Sequence, residues 1–422
     1  MKRKTASHTP PSSLLEPYRR EIERCVKCGT CSAVCPTFLR ERRESQSARG
    51  RMVLVKAVLD GKLAASALFK DLLATCTTCL ACESSCPNNV PVTKIIQAAK
   101  EQAVAELGPG IIDRIISGVL RHPAALSATA WLAPVALHYK NGSSEFSVRR
   151  SKGEKSGRGE KSKGKVAFFP GCAVNSMQKD IGKSVISVLG KLGYEVVIPD
   201  GLNCCGRPLL SLGDRKIAEE LAAHNSALFA ALRADVIVTA CASCGLTFKK
   251  EYPKLLRPSE KTPIVLDIHE FLAHALPGMP MGSVRRTVTY HDPCHLGRGQ
   301  GLSGLVRSIL RSLPGLALVE MNNADRCCGF GGVMRITHQK LSDGIAEDKA
   351  KNIIATEASA VVTGCPGCRM QIANALKRAG TKIAVLHTVQ VVEEALRNTD
   401  AARSRRRTTG DKNIVNEREN KK

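Results

Sequence analysis

The cysteines of this 422-residue chain are the residues whose type and spacing could carry chemistry, because they fall into repeated patterns. Near the N-terminus, the spacing C-x2-C-x2-C-x3-C-P occurs twice. Its two copies are Cys25, Cys28, Cys31 and Cys35 before Pro36, and Cys76, Cys79, Cys82 and Cys86 before Pro87. Thiolates at this spacing are typical ligands of four-iron clusters. The doubled pattern therefore predicts two 4Fe-4S clusters.

The same pattern predicts how the thiols are shared, because it is the pattern of bacterial two-cluster ferredoxins. In such proteins the fourth cysteine of each run binds the cluster of the other run. We therefore expect cluster 1 on Cys25, Cys28, Cys31 and Cys86, and cluster 2 on Cys76, Cys79, Cys82 and Cys35. A pair of zinc knuckles is the alternative, but zinc sites usually combine two C-x2-C pairs rather than a triple run ending in Cys-Pro.

The rest of the 18 cysteines form a second pattern that is also used twice: one cysteine, then Cys-Cys-Gly, then C-x2-C. The first copy consists of Cys172, Cys204, Cys205, Cys241 and Cys244, and the second of Cys294, Cys327, Cys328, Cys365 and Cys368. Buried structural thiols would not need a C-x2-C pair at nearly equal distance in both copies. In a chain without a recognisable signal peptide, cysteines at this density indicate metal ligands rather than disulfides.

Each cysteine group of the second pattern follows a predicted strand. Segment 165–172 matches segment 287–294, and segment 234–241 matches segment 358–365. Segments of helical period, such as 216–232, lie between the strands, which predicts repeated βα units and parallel sheets. Because ligand sites of parallel sheets lie at the carboxyl ends of the strands, the five cysteines of each copy are expected to converge at one rim.

We therefore expect an α/β protein overall, in which an N-terminal helical two-cluster ferredoxin-like domain precedes two βα-type Cys-Cys-Gly (CCG) repeats. Each repeat is long enough for a core of its own. The expected divisions are a polar N-terminal tail at 1–20, the two-cluster domain at 21–105, a helical connection at 106–145, a basic linker at 146–164, the first CCG repeat at 165–280, the second at 281–398, and a basic disordered tail at 399–422.

The formal net charge of +25 does not indicate a nucleic-acid partner, because Lys and Arg crowd into the linker and the C-terminal tail. Aromatic residues are only 4% of the chain, so platforms for base stacking are poorly supplied. An acidic partner subunit or an anionic membrane surface fits this charge better. The apolar stretch 123–137 is shorter than the roughly 20 residues that span a bilayer. We expect a cytoplasmic protein, with peripheral attachment to the inner face of the membrane left open.

The chain contains no strand-GxGxxG-helix pattern and no P-loop, so we expect no flavin on this polypeptide. A reaction that needs a hydride acceptor would then depend on a flavoprotein partner.

Several motifs together resemble a known family. They are Cys25-Val-Lys-Cys-Gly-Thr-Cys, Ala48-Arg-Gly-Arg-Met, His291-Asp-Pro-Cys-His-Leu and Cys365-Pro-Gly-Cys-Arg. The doubled ferredoxin run followed by two CCG repeats resembles the glycolate oxidase iron-sulfur subunit family, which is related to the catalytic subunits of heterodisulfide reductases. The likeness covers about residues 21 to 398.

This resemblance implies that a complete CCG repeat holds a noncubane 4Fe-4S cluster on its five cysteines. It also implies an iron-sulfur electron-transfer subunit that takes electrons from an FAD-containing 2-hydroxy-acid (glycolate or lactate) dehydrogenase subunit and passes them to a quinone or another carrier. One alternative is a heterodisulfide-reductase-like subunit that reduces a disulfide at a CCG-bound cluster. Another is a non-redox scaffold with zinc in the cysteine sites. No catalytic residue is assigned.

Four residues beside the CCG cysteines allow two interpretations each. His291 and His295 could donate to a cluster sulfur or carry a proton, or they could simply bond to the loop at the strand end. Arg207 and Arg369 could stabilise the negative charge of a thiolate-rich cluster, or they could be ordinary surface arginines.

Overall fold

The computed structural model describes residues 13–121, 162–232, 234–260 and 263–399, which form a helical N-terminal region and two α/β units. Most of the expected N-terminal tail, the expected linker and the expected C-terminal tail lie outside the described residues, as does the apolar stretch 123–137. None of the helices within the described ranges is long and apolar enough to cross a lipid bilayer.

Short helices make up the N-terminal region. They are α1 (Arg19–Glu23), α2 (Thr30–Val34), α3 (Pro36–Glu41), α4 (Ala48–Leu59), α5 (Ala67–Ala74), α6 (Ala81–Ser84), α7 (Val92–Leu107) and α8 (Ile111–Arg121), with 3-10 turns at Glu16–Tyr18 and Glu44–Gln46. Ser47 and Ser66 begin α4 and α5, because their hydroxyls accept bonds from the first-turn N–H groups of Gly50 and Phe69. The apolar faces of α4, α5 and α7 then pack into one core.

Each α/β unit contains one four-stranded parallel sheet, and the strand order is the same in both. The strands of the first unit are β1 (Lys165–Phe169), β2 (Glu195–Val197), β3 (Val236–Thr239) and β4 (Val265–Asp267), in the order β2-β1-β3-β4. Those of the second are β5 (Arg286–His291), β6 (Leu316–Val319), β7 (Ala360–Thr363) and β8 (Ala384–His387), in the order β6-β5-β7-β8. The α/β fold and the duplication expected from the sequence are thereby confirmed.

Helices connect the strands, as a parallel sheet requires. In the first unit they are α9 (Gly171–Ser176), α10 (Lys179–Lys191), α11 (Arg207–Leu212), α12 (Arg215–Ala230), α13 (Ala242–Leu246), α14 (Tyr252–Leu255) and α15 (Ile268–Ala275), with a π-helical turn at Thr247–Glu251. In the second they are α16 (Gly297–Gln300), α17 (Ser303–Ser312), α18 (Met334–Thr337), α19 (Gln339–Ile354), α20 (Pro366–Arg378) and α21 (388–399).

The two α/β units share a hydrophobic core, whereas the sequence suggests a separate core for each. Val166 and Phe168 of β1 belong to the same buried cluster as Val288 and Tyr290 of β5. The central strands are buried on both faces toward their carboxyl ends, which is typical of parallel strands covered on both sides. Because the units bury these faces in one core, their strand ends and cysteines are held in a fixed relation.

Candidate iron-sulfur centres

The two N-terminal cysteine runs adopt the same unusual backbone. Lys27 and Gly29 of the first run have φ of 58° and 87°, and the corresponding Thr78 and Leu80 of the second run have φ of 50° and 64°. Left-handed φ is costly for a residue with a Cβ, and most of all for a β-branched residue such as Thr78. Such strain is typical of loops whose shape is set by a ligand. Here it curls each run so that its first three thiols face one space.

The first space is a cavity lined by Cys25, Cys28, Cys31 and Cys86, with about 420 Å³ of empty volume that includes open solvent. These are the thiols that the sequence assigns to cluster 1. The Cys28 side chain is exposed, and its pKa is lowered, chiefly by a hydrogen bond with the Thr30 hydroxyl. The site therefore offers a sulfur donor next to solvent.

The second space is a cavity lined by Cys35, Cys76, Cys79 and Cys82, the thiols assigned to cluster 2, with about 320 Å³ of empty volume that includes open solvent. Cys82 also lines the first cavity, so one side chain lies between the two spaces. The pKa of Cys79 is raised well above its usual range by contact with the Cys327 thiol and by burial. A buried thiol of this kind needs a metal cation to become a thiolate, so the donor set fits an iron-sulfur cluster.

Two arginines on α4 belong to these cavities, although the sequence gives them no role beyond the resemblance. Arg49 lines the first cavity and pairs with Glu44 at 2.7 Å between Nε and Oε1. Arg51 lines the second cavity and is only 1% exposed.

The Arg51 guanidinium donates to neutral oxygens. Its Nη2 lies 2.7 Å from Thr75 Oγ1 and 2.9 Å from Gln46 Oε1, and its Nε lies 2.9 Å from the Leu72 carbonyl oxygen. Among the described residues, no ion pair to a carboxylate is found for it. A buried cation beside four thiols fits an anionic cluster, whose charge would compensate it. The R-x-R spacing on a helix next to a cysteine run is the signal that could have found both arginines.

In the first α/β unit, the five cysteines of the pattern come together at the carboxyl end of the sheet. The sulfurs of Cys172 and Cys204 lie 3.7 Å apart, and the Cys205 thiol contacts those of Cys204 and Cys244. Gly171 has a left-handed φ of 68°, and a Cβ at this position would lie 2.8 Å from the Cys244 sulfur. Glycine before Cys172 therefore allows the backbone to approach the thiols closely.

The second unit repeats this arrangement with Cys294, Cys327, Cys328, Cys365 and Cys368. The sulfurs of Cys328 and Cys368 lie 3.2 Å apart, and both thiols are buried. A ring nitrogen of His291 joins them in a group whose ligand atoms all lie within 4.8 Å of one another. Buried soft donors that converge in this way fit a metal centre. The convergence that the sequence predicts is thus present in both units.

Thiols also meet across the boundaries between regions, which the sequence does not predict. Cys79 of the N-terminal region contacts Cys327 of the second unit and packs with Cys294. Cys241 of the first unit contacts Cys365 of the second. The cysteine groups therefore form a continuous series rather than isolated sites.

Polar side chains of the α/β units hold the loop of the second run from both sides. Arg207 donates to Thr78 Oγ1 at 3.0 Å, and His295 lies 3.2 Å from the Thr78 carbonyl oxygen through Nε2. The Nδ1 atom of His295 bonds with the Ser243 hydroxyl at 2.9 Å. His295 therefore bonds once to Ser243, just after the end of β3, and once to the N-terminal region at Thr78.

The interpretation of Arg207 and Arg369 as ordinary surface arginines is wrong. Their side chains are 11% and 5% exposed, and Arg369 pairs with Asp180 at 2.6 Å between Nη2 and Oδ2. Both carry a charge into the interior to join separate segments of the chain. This could not be predicted locally, because their partners are distant in sequence.

His291 differs from His295, since neither of its ring nitrogens has a hydrogen-bond partner among the described residues. Burial lowers the pKa of His291 to about 3 and that of His295 to about 4. Both imidazoles are therefore neutral at physiological pH.

Comparison with known protein families matches three segments of the chain. A family described as a 4Fe-4S dicluster domain matches residues 21–90. A family described as the cysteine-rich domain CCG matches residues 166–249 and again residues 288–373. These segments contain the two N-terminal runs and the two α/β cysteine groups.

Curated relatives match along most of the chain. A subunit of the fumarate reductase (CoM/CoB) of Methanothermobacter marburgensis is 32% identical over 89% of this chain and 73% of its own length. The probable glycolate oxidase iron-sulfur subunit of Bacillus subtilis is 28% identical, and the match covers 89% of this chain and 94% of that protein. A subunit of the dihydromethanophenazine:CoB-CoM heterodisulfide reductase of Methanosarcina acetivorans is 29% identical over the same shares.

Proposed function

This chain belongs to the family of iron-sulfur oxidoreductase subunits that join a 4Fe-4S dicluster domain to two CCG domains, and from this premise we propose a specific electron-transfer role. We propose that it is the iron-sulfur subunit of a flavin-dependent 2-hydroxy-acid oxidase or dehydrogenase that acts on glycolate or lactate. The chain would receive electrons from a partner flavoprotein and deliver them to a quinone or another carrier.

We propose that two 4Fe-4S clusters occupy the two N-terminal cavities, with the ligands that the sequence predicts. One or two further noncubane clusters would be present in the chain, each held by the five cysteines of one CCG repeat. When bound, such clusters accept and release single electrons. The chain itself would supply thiolates, bury most of them from solvent and place cationic side chains beside them.

The continuous series of thiols is the observation that carries this proposal. It begins at the exposed Cys28, passes Cys82 between the two cavities, and continues through the contact of Cys79 with Cys327. The contact of Cys241 with Cys365 then joins the two repeats. A series of neighbouring redox sites that starts at the surface is the arrangement expected of a subunit that carries electrons between partners.

An FAD-containing subunit is proposed as the electron donor because oxidation of a hydroxy acid needs a hydride acceptor. The Bacillus subtilis relative, of which the match covers 94%, favours glycolate as the donor substrate. We further propose that the chain is cytoplasmic and attaches peripherally to the inner face of the membrane, because a quinone acceptor would lie in the membrane.

Anaerobic affinity purification of the tagged chain from its host, followed by optical spectra before and after addition of glycolate or lactate, tests this proposal. A co-purified flavoprotein and bleaching of the cluster absorbance are expected. Malonate, which has no hydroxyl group to oxidise, is the control and should leave the spectrum unchanged. A chain that carries iron but stays oxidised with both hydroxy acids contradicts the proposal.

Reduction of a disulfide at a CCG site is a second candidate function. Complete sets of five cysteines converge in both repeats, and two of the matched relatives are named for CoM/CoB or heterodisulfide chemistry. This function predicts that the chemically reduced chain is reoxidised by a disulfide without any flavoprotein. If disulfides do not reoxidise the reduced chain, this second function is excluded and only the electron-transfer role remains.

A further inference from the structure

The two CCG repeats differ at one position that lies against their cysteines. Phe169 is the last residue of β1 and His291 the last residue of β5, and both pair in register with a threonine that ends the next strand of the sheet, Thr239 or Thr363. They are therefore structural equivalents. In the first repeat this position is apolar, and in the second it offers two nitrogen atoms.

Phe169 has an ordinary place in an apolar cluster. It is fully buried, and its ring packs edge-on against Phe248 and Phe229 at centroid distances of 4.8 and 6.1 Å. Nothing at this position of the first repeat can bind iron.

His291 is buried to the same degree, at 1% exposed, but both of its nitrogens lack a partner among the described residues. An unpaired buried nitrogen costs about 1–3 kcal/mol, so a ligand for it is expected. Its ring nitrogen, Cys328 Sγ and Cys368 Sγ lie within 4.8 Å of one another.

Neighbouring polar groups do not hydrogen-bond to this nitrogen, although Asp292 Oδ1 also lacks a partner among the described residues. The adjacent Asp292 bonds with Arg307, at 3.1 Å between Oδ2 and Nη1, and with the Ser303 hydroxyl. His295 uses both of its nitrogens for Ser243 and Thr78. Two thiols are thus the donor atoms grouped with the His291 nitrogen.

We propose that His291 is a nitrogen ligand of an iron that Cys328 and Cys368 also bind, so that the second repeat has mixed nitrogen and sulfur ligation and the first repeat has sulfur ligands alone. This inference rests on the proposed occupancy of the second repeat by a cluster. A neutral imidazole adds no negative charge to the cluster, whereas a thiolate adds one. In other iron-sulfur proteins, histidine in place of a thiolate raises the reduction potential. Here all five cysteines remain in both repeats, so the imidazole is an additional neutral ligand and does not change the number of thiolates.

Electron-nuclear double resonance on the whole chain, labelled with 15N-histidine and partly reduced under anaerobic conditions, tests this ligand. The wild-type chain is expected to show a strongly coupled 15N nucleus. His291→Phe, which copies the first repeat, should lose that signal, and His295→Gln, the matched control, should keep it. The proposal is overturned if the wild-type spectrum lacks the strong coupling, or if this coupling persists in His291→Phe.

His291→Cys keeps the test decisive if the Phe variant does not fold. It replaces the imidazole by a thiolate, so the nitrogen coupling should vanish and the midpoint potential of the second-repeat signal should shift to more negative values. An unchanged potential would count against the ligand. Iron and sulfide analysis of the wild-type chain separates the two levels of failure. Absence of iron beyond that of the two N-terminal cavities refutes the occupancy, whereas iron in the second repeat without nitrogen coupling refutes only the ligand.

Discussion

The two N-terminal cysteine runs have the same spacing and the same left-handed backbone positions, yet their surroundings differ. Cys28 of the first run is exposed, whereas the equivalent Cys79 of the second run is buried against Cys327. Spacing therefore determines which thiols share a cavity, while long-range packing determines what the cavity can exchange electrons with. The first cavity suits contact with a partner, and the second suits transfer within the chain.

The charges beside the two cavities differ in the same way. Arg49 at the first cavity is partly exposed and paired with Glu44, and Arg51 at the second is buried among neutral acceptors. The stability of the second (inner) cavity therefore depends more on a bound cluster than the stability of the first (outer) cavity does.

The largest effect is expected from Cys79→Ser compared with Cys28→Ser. Each variant removes one proposed cluster ligand at the equivalent position of its run, but Cys79 also contacts Cys327. Cys79→Ser should therefore lose the second-cavity cluster and part of the iron of the second repeat, while Cys28→Ser should lose the first-cavity cluster only. Iron content and electron paramagnetic resonance measure both. Equal losses of iron in the two variants would show that the second (inner) run is no more closely coupled to the second repeat than the first (outer) run is.

The next largest effect is expected from Arg51→Met compared with Arg49→Met. Loss of the Arg51 guanidinium removes its hydrogen bonds to Thr37, Gln46 and Thr75, although Gln46 Oε1 still accepts from Thr75 Oγ1, and costs about 3 kcal/mol. Loss of the partly exposed pair of Arg49 with Glu44 costs less than about 1 kcal/mol. We expect the anaerobic thermal unfolding midpoint to fall by about 5–10 °C in the first variant and little in the second. A similar decrease in both would show that burial does not distinguish the two sites.

A pH-dependent effect is expected from Lys100 of α7, which is buried and donates to the Ser211 carbonyl oxygen at 3.1 Å. Burial lowers its pKa from 10.5 to about 8, so the folded chain loses stability on the order of 3 kcal/mol below pH 8, where the lysine is charged in both states. Stability rises between about pH 8 and 10.5, because the unfolded chain then binds more protons than the folded chain. Lys100→Met removes this dependence.

The advantage of Lys100→Met should accordingly be largest below pH 8 and shrink as the pH rises, offset throughout by about 1 kcal/mol for the lost hydrogen bond. Unfolding midpoints of the two chains across this pH range measure it. A difference that does not vary with pH would mean that Lys100 is hydrated, and that the contact of α7 with α11 beside the inner run is open to solvent.

The smallest effect is expected from glycine at the strained position of each run. Lys27→Gly in the exposed loop should stabilise the chain by about 1 kcal/mol, because glycine adopts left-handed φ without strain. Thr78→Gly relieves the same strain but loses the hydrogen bond from Arg207, so its net effect should be close to zero. Anaerobic denaturant titrations of both variants measure the contrast. An equal gain in both would indicate that Arg207 contributes nothing to the inner loop.

Much of the fold could be predicted from local patterns. Matching strand-like segments before Cys172 and Cys294 mark the buried parallel strands, and the ferredoxin spacing predicts which thiols share each N-terminal cavity. The contact of Cys241 with Cys365 could not be predicted, because it depends on how two sheets pack in a common core. The sequence marks His291 and His295 alike as candidates beside Cys294, and only the burial and unpaired nitrogens of His291 distinguish it from the bonded His295.

The buried Arg51 has a consequence for the life of the protein in a cell. Without cluster charge nearby, its guanidinium is a cation held out of water among neutral acceptors, so the iron-free chain should unfold more readily. Marginally stable chains are removed by proteases in proportion to the fraction that is unfolded. Abundance of this protein should therefore follow the supply of iron even when its transcript does not change, and comparison of protein and transcript levels in iron-limited cells would reveal it.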